Sequence, residues 1–371
     1  MIYLDNAATS FPKPPEVARA VQHYLTKCGA NFGRGGYQSA VESMDALWKA
    51  RESVAELIGC SEPERVIFTK NATEALNLAI KGCVSSGSSV LISPLEHNSV
   101  VRPLHELKCQ ITTLPLLPDG SCDVRGLPSQ KFDFAVMMHG SNVSGAVNDI
   151  ERFAAFCRVR GIPCLIDAAQ TAGTLPIHAD KMEACVAFAG HKGLLGPQGT
   201  GGLYLPKRIS PRPLMSGGTG SSSELMVQPD MLPDRYESGT MNMPALCGLE
   251  AGCTFIKKVG MKTIHEHEVS LARRLSDGLQ SMGKTHVVCP GLSLRTGVVS
   301  FFVDGLDTSE IGRRLDEEYH ISVRCGLHCA PMAHQAYHTF ETGTVRVSPG
   351  WFNTPREIDK FLDAIQKISK V

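Results

Sequence analysis

The sequence predicts an α/β protein of two unequal lobes: a large one over residues 15–250 built on a mostly parallel sheet, and a smaller α+β one over residues 251–371. Three observations predict it. The chain has 371 residues, more than the roughly 250–300 at which single hydrophobic cores stop growing. Through the first lobe, short apolar runs alternate with helix-length amphipathic segments, the pattern of strands buried on both faces between helices. Beyond about 251, that alternation gives way to a mixture of longer helices and strands joined by short links.

The elements follow in order. Val66-Ile67-Phe68 reads as a strand and Thr73 to Lys81 as the helix after it; Val90-Leu91-Ile92 and Phe134 to Met138 are strands, Ile150 to Arg160 a helix, and Cys164-Leu165-Ile166, Val186-Ala187-Phe188 and Gly202-Leu203-Tyr204 further strands. Pro213 to Asp234, with Ser216 to Ser223 at its centre, is rich in Gly, Ser and Pro and reads as an ordered loop or flap facing a neighbouring subunit. In the small lobe come a long helix through Ile264 to Met282, strands Val298 to Val303 and Ile321 to Arg324, a helix Ser309 to Tyr319, a strand Val345 to Ser348 and a closing helix Pro355 to Ile368.

Composition excludes several classes. Lys plus Arg and Asp plus Glu are both 37, giving no net charge. With no dense basic run, nucleic acid is not the expected partner. The start, Met1-Ile2-Tyr3-Leu4-Asp5-Asn6, lacks the basic and apolar stretches of a signal peptide, and no later apolar run reaches ~18 residues, so a soluble cytoplasmic protein without a membrane span is expected. The thirteen cysteines are scattered, mostly in apolar stretches, and read as buried reduced thiols. No Cys-x-x-Cys or His-x-x-x-His pairing offers a metal site.

Three segments carry chemistry. Lys70-Asn71-Ala72-Thr73-Glu74 follows a strand and opens a helix, where free N–H groups and the helix dipole suit a phosphate; an ordinary helix cap fits the same residues. Asp167-Ala168-Ala169-Gln170 ends an apolar strand and offers a carboxylate for a protonated ring nitrogen and an amide for a ring hydroxyl. Gly190-His191-Lys192-Gly193 ends another, with a lysine placed to form an imine once partly desolvated. Each alone is compatible with a plain strand-end polar group. Their order on successive βα units is hard to explain structurally.

The run of Tyr3-Leu4-Asp5-Asn6-Ala7-Ala8-Thr9, Asn71-Ala72-Thr73-Glu74, Glu96-His97, Asp167-Ala168-Ala169-Gln170, Gly190-His191-Lys192 and Glu237-Ser238-Gly239-Thr240 resembles class V aminotransferase-fold enzymes over essentially the whole chain, in particular the cysteine desulfurase and selenocysteine lyase branch. The resemblance implies the fold-type I architecture, pyridoxal 5'-phosphate (PLP) as cofactor, residues 1–14 joining the small lobe, and a homodimer with active sites at the subunit boundary. It implies that Lys192 holds the cofactor, Asp167 pairs with the ring nitrogen, Gln170 meets the ring hydroxyl and His97 stacks on the ring. Ala72, Thr73, His191 and Thr240 would hold the phosphate, Thr240 from the other subunit. Asn142 and Arg346 would bind the substrate carboxylate, Arg being suited by its planar fork.

Arg324-Cys325-Gly326-Leu327-His328-Cys329-Ala330 resembles the Arg-x-Gly-x-His-Cys sequence around the nucleophilic cysteine of the second group of cysteine desulfurases. Cys329 is then the residue that takes sulfur as a persulfide, with His328 and Arg324 placed to generate or stabilise its thiolate and Arg324 also near the substrate. Cys325 admits a regulatory disulfide or a small residue in a tight turn, and the second is favoured. Two departures from the family pattern stand out: Ala189 replaces the usual Ser or Thr, so one phosphate hydrogen bond is expected to be missing, and Tyr37 stands where a His is common. The activity expected is conversion of L-cysteine to L-alanine, with a sulfur-acceptor protein downstream. L-Selenocysteine cleavage, aminotransfer, cysteine sulfinate desulfination and a non-catalytic sulfur-carrier or scaffold role are the alternatives.

Overall fold

The computed structural model describes residues 1–32, 35–292 and 294–370. In chain order the first part runs β1 (Ile2–Tyr3), α1 (Pro15–His23), α2 (Gln38–Ile58), β2 (Val66–Thr69), α3 (Ala72–Cys83), β3 (Ser89–Ile92), α4 (Asn98–Glu106), β4 (Gln110–Thr113), β5 (Phe134–Met138), α5 (Ile150–Val159), β6 (Cys164–Asp167), α6 (Ala179–Met182), β7 (Cys185–Ala189) and β8 (Gly201–Tyr204). The second runs α7 (Met243–Val259), α8 (Met261–Gln280), β9 (Thr285–Val287), β10 (Val299–Val303), α9 (Thr308–Tyr319), β11 (Ile321–Ser322), β12 (Arg324–Gly326), α10 (Pro331–Ala336), β13 (Thr344–Val347) and α11 (Pro355–Ile368).

Seven strands form one sheet in the order β2-β8-β7-β6-β5-β3-β4. Its central strands are apolar up to Asp167, which closes β6, because both faces are covered: Ile67, Val136 and Leu165 enter one core, whereas Phe68, Met137 and Ile166 enter the other. The expected mostly parallel sheet is present. β8 runs antiparallel to both β2 and β7. The chain returns from β7 through the short Gly190 to Thr200 turn instead of a helical crossover, and only an antiparallel partner can be reached that way.

The small lobe carries an antiparallel sheet in the order β12-β13-β10-β9, covered by α8, α9 and α11 around Phe301 and Phe361. Helix α11 starts with a capping box in which Thr354 and Glu357 satisfy each other's backbone N–H groups. The N-terminus joins this lobe: β1 pairs in parallel with β11, and Leu4 is buried in the same core. The single strand expected over Ile321 to Arg324 divides between two sheets, β11 with β1 and β12 with β13.

The segment 213–234 has no regular element and is held by its own polar side chains, Gln228 bonding Ser238 Oγ at 3.0 Å and Ser221 bonding Asp234. Leu214, Met215, Leu225, Met226, Val227 and Met231 are exposed along it. Just beyond, Glu237 is tied to the large lobe by a buried two-pronged pair with Arg51, both contacts at 2.7 Å, and accepts the Phe68 N–H. No helix among the described residues is long and apolar enough to cross a membrane.

Candidate active site

The carboxyl ends of β3, β5, β6 and β7 and the start of α3 surround one cavity, where sheets of this kind bind ligands. Ala72, Thr73, His97, Asn142, Asp167, Gln170, Ala189, His191 and Lys192 line it. Eight of the residues singled out in the sequence therefore meet in one place, with Ala189 as wall. Thr240 does not join them: it is exposed, beside Lys70 and Ser238 in a separate depression.

The turn that presents Lys192 is tight. A side chain on Gly190 would put its Cβ 2.1 Å from Thr200 Oγ1, so only glycine fits. From the other side, Ser10 N and Lys13 Nζ donate to the His191 carbonyl at 3.1 and 2.8 Å, and Ser10 Oγ donates to the Lys192 carbonyl at 3.0 Å. Burial, then the positive charge of Arg346, pulls the Lys192 amine down to about 8. Burial raises Asp167, whose Oδ1 accepts Ala169 N at 2.9 Å. Burial likewise lowers His97 and His191 to about 4, so both rings are neutral at physiological pH.

His97 caps α4, its Nδ1 accepting Ser99 N at 3.1 Å. Ser99 Oγ in turn meets Thr73 Oγ1 at 2.8 Å, which puts two hydroxyls at the adjoining N-termini of α3 and α4. Gln170 donates to the Ala7 carbonyl at 3.0 Å.

The small lobe supplies the remaining residues. Cys329 is the exposed one among the cysteines, and Arg324 Nη2 lies 3.5 Å from its sulfur. Gly326, His328 and Cys329 all have positive φ, at 101°, 49° and 60°, which two bulky residues adopt only where contacts enforce it. Those contacts are the Cys329 carbonyl, which accepts Asn98 N at 2.8 Å, and the His328 carbonyl, which accepts Asn142 Nδ2 at 2.7 Å. His328 itself turns inward: the ring is buried, bonded to Thr344 Oγ1 at 2.9 Å, and pushed down to about 2 by burial and then by Arg346, so it carries no charge to offer the thiol. Cys325 faces the core, where a Cβ on Gly312 would come within 2.5 Å of its sulfur. It lies on the opposite face of β12 from Arg324.

Arg346 is almost wholly buried on β13, one prong donating to the Asn142 carbonyl at 3.1 Å and the other to Asp5 Oδ1 at 2.7 Å. Its Nε and the Asn142 Oδ1 are buried without a protein partner. A family model, Aminotransferase class-V, matches residues 2–361. The chain belongs to that family.

Among its relatives, the probable cysteine desulfurase of Methanothermobacter thermautotrophicus is 32% identical, covering 99% of this chain and 94% of its own length. That of Pyrococcus abyssi is also 32% identical, over 100% and 94%. Of solved structures, the apo cysteine desulfurase of Thermococcus onnurineus NA1 is 30% identical with a TM-score of 0.91, covering 100% of this chain and 94% of that one. The cysteine desulfurase CsdA of Escherichia coli, as its S-sulfonic acid, is 25% identical with a TM-score of 0.87, over 99% and 94%.

Class V membership implies PLP, and the cavity suits it. A buried carboxylate and a lysine whose amine burial has pulled down to about 8 face the same space, the His191 Nδ1 is buried with no protein partner, and two hydroxyls stand at helix N-termini. Three contributors escaped the sequence reading. Ser99 follows the Glu96-His97 pair by two residues, the spacing of a helix cap. Lys13 stands three residues after Ser10 on the N-terminal segment, and Asp5 belongs to the Tyr3-Leu4-Asp5 run without having been given a task.

Proposed function

We propose that this enzyme takes sulfur from L-cysteine onto Cys329 as a persulfide and releases L-alanine, with PLP held on Lys192. The observation that carries the reading is the placement of an exposed thiol, 3.5 Å from the Arg324 guanidinium, on a loop pinned to the rim of the cofactor cavity. When bound, PLP supplies the electron sink that lets bonds at the substrate Cα and Cβ be broken.

The chain's own residues supply the rest. Arg346 and Asn142 orient the substrate carboxylate, and Lys192, largely unprotonated above about pH 8, removes the Cα proton and returns one. Asp167 holds the ring nitrogen, Gln170 the ring hydroxyl, and His97, neutral, covers the ring face. Ala72, Thr73 and His191 receive the phosphate together with Ser99. Cys329 Sγ then forms an S–S bond to the substrate sulfur as the C–S bond breaks, and the carbon left behind takes a proton and departs as alanine. Arg324 steadies the negative sulfur. His328 acts by position, holding the loop through Thr344 and Asn142.

The assembly we propose is a homodimer in which Thr240 of the partner subunit completes the phosphate site. Supporting this, Thr240 is exposed on its own chain in a depression that it shares with the exposed Leu214 and Met215. An exposed Cys329 leaves the persulfide open to the thiol of an acceptor protein. Mass spectrometry of the PLP-loaded protein after brief L-cysteine treatment tests the reading: one added sulfur on the peptide carrying Cys329 supports it, and an unmodified Cys329 alongside alanine release contradicts it.

A further inference from the structure

The substrate-carboxylate site already holds a carboxylate. Arg346 donates from three nitrogens: one Nη1–H goes to the Asn142 carbonyl at 3.1 Å, one Nη2–H to Asp5 Oδ1 at 2.7 Å, and Nε is buried with no protein partner. A guanidinium grips a carboxylate in two-pronged fashion through adjacent N–H groups, here Nε and Nη2. With the Asp5 carboxylate held on Nη2, an incoming carboxylate meets a like charge at that edge and must share the nitrogen or displace Asp5.

We infer that Asp5 is a specificity-determining stand-in for the substrate carboxylate, closing Arg346 in the substrate-free enzyme and giving up Nη2 when an amino acid binds. This rests on the reading of Arg346 as the carboxylate anchor. Two features favour exchange over a permanent pair. Asp5 lies at the edge of the site, its side chain 18% exposed against 1% for Arg346, so it has solvent to move into. It is also the last residue before the Asn6 to Ser10 stretch, which clamps the Lys192 turn through Ser10. Burial pulls Arg346 down and Asp5 pulls it back up, so the stand-in keeps the buried cation neutralised until substrate arrives. A ligand lacking a carboxylate gains nothing from displacing it, which makes Asp5 a filter for free amino acids.

The test uses the PLP-loaded enzyme, with L-alanine and L-alaninamide as ligands and binding read from the cofactor absorbance. Removing the competing charge in Asp5→Asn should tighten L-alanine by about five-fold or more, through loss of like-charge repulsion at a few ångströms, and leave alaninamide unmoved. The KM for L-cysteine should fall with it. Unchanged or weaker alanine binding, or equal tightening of both ligands, overturns the inference. Arg346→Gln separates the two ideas: if that variant still prefers alanine to alaninamide, the anchor reading itself fails. Should Asp5→Asn not fold, a crystal structure of the unaltered enzyme with L-alanine decides directly. The Asp5–Arg346 contact should be open with the ligand carboxylate on Nη2, and a contact kept near 2.7 Å with ligand bound overturns the stand-in role.

Discussion

The backbone N–H of Asn98 donates to the carbonyl of Cys329 at 2.8 Å. This joins the two lobes at the reacting atoms, because Asn98 follows His97 in the large lobe and Cys329 belongs to the small one. Asn98 is the first residue of α4, and its N–H has no role inside that helix.

Replacing Asn98 by proline deletes that donor and little else. Proline is tolerated at the first helical position, and His97 already has the extended backbone, φ −71° and ψ 155°, that a following proline requires. Thermal stability should stay close to that of the parent. Persulfide formation on Cys329, followed by rapid quench and mass spectrometry, should slow by about ten-fold or more, since a nucleophile displaced by ~1 Å loses much of its advantage.

A second prediction concerns pH. A lysine pulled from 10.5 to about 8 by burial and by Arg346 is protonated and inert below that value and free above it. Uptake of added PLP by the apoprotein, followed by absorbance, should therefore climb with pH through a midpoint near 8. In Arg346→Gln a neighbouring cation is gone, so the midpoint should move up. A midpoint that moves down would contradict the electrostatic assignment.

The inward-facing His328 leads to a third. Thr344→Val leaves a buried ring nitrogen without its partner, at a cost of about 1–3 kcal/mol, and loosens a loop held at positive φ. The unfolding midpoint in denaturant should fall, and Cys329 should form its persulfide more slowly although Thr344 bonds the His328 ring and not the sulfur.

Fourth, the Arg51–Glu237 pair anchors the segment that leads to Thr240. Glu237→Gln leaves a buried guanidinium short of its counter-charge and should cost about 3–5 kcal/mol, whereas Arg51→Met with Glu237→Met should cost much less. Denaturant unfolding of the two variants beside the parent checks the order.

Much of this was legible in the sequence because the pivotal cofactor residues stand at or just beyond the ends of apolar strands. Asp167 and Lys192 stand at strand ends, and the strands betray themselves by composition. The reversal of β8 was not, since Gly202-Leu203-Tyr204 looks the same in either direction and only the shortness of the preceding turn decides it. Nor was the orientation of His328, whose ring partner Thr344 comes from β13, 16 positions on. The pairing of Asp5 with Arg346 spans 341 positions. No local pattern announces a contact at that separation.

The most direct test of the central claim is a product assay on the PLP-loaded enzyme, with L-cysteine and L-selenocysteine run in parallel and alanine, sulfide and selenide quantified for the parent and for Cys329→Ala. Alanine and sulfide from L-cysteine, lost in Cys329→Ala while the cofactor absorbance persists, is the predicted result. Undiminished alanine release from L-cysteine by Cys329→Ala would contradict it.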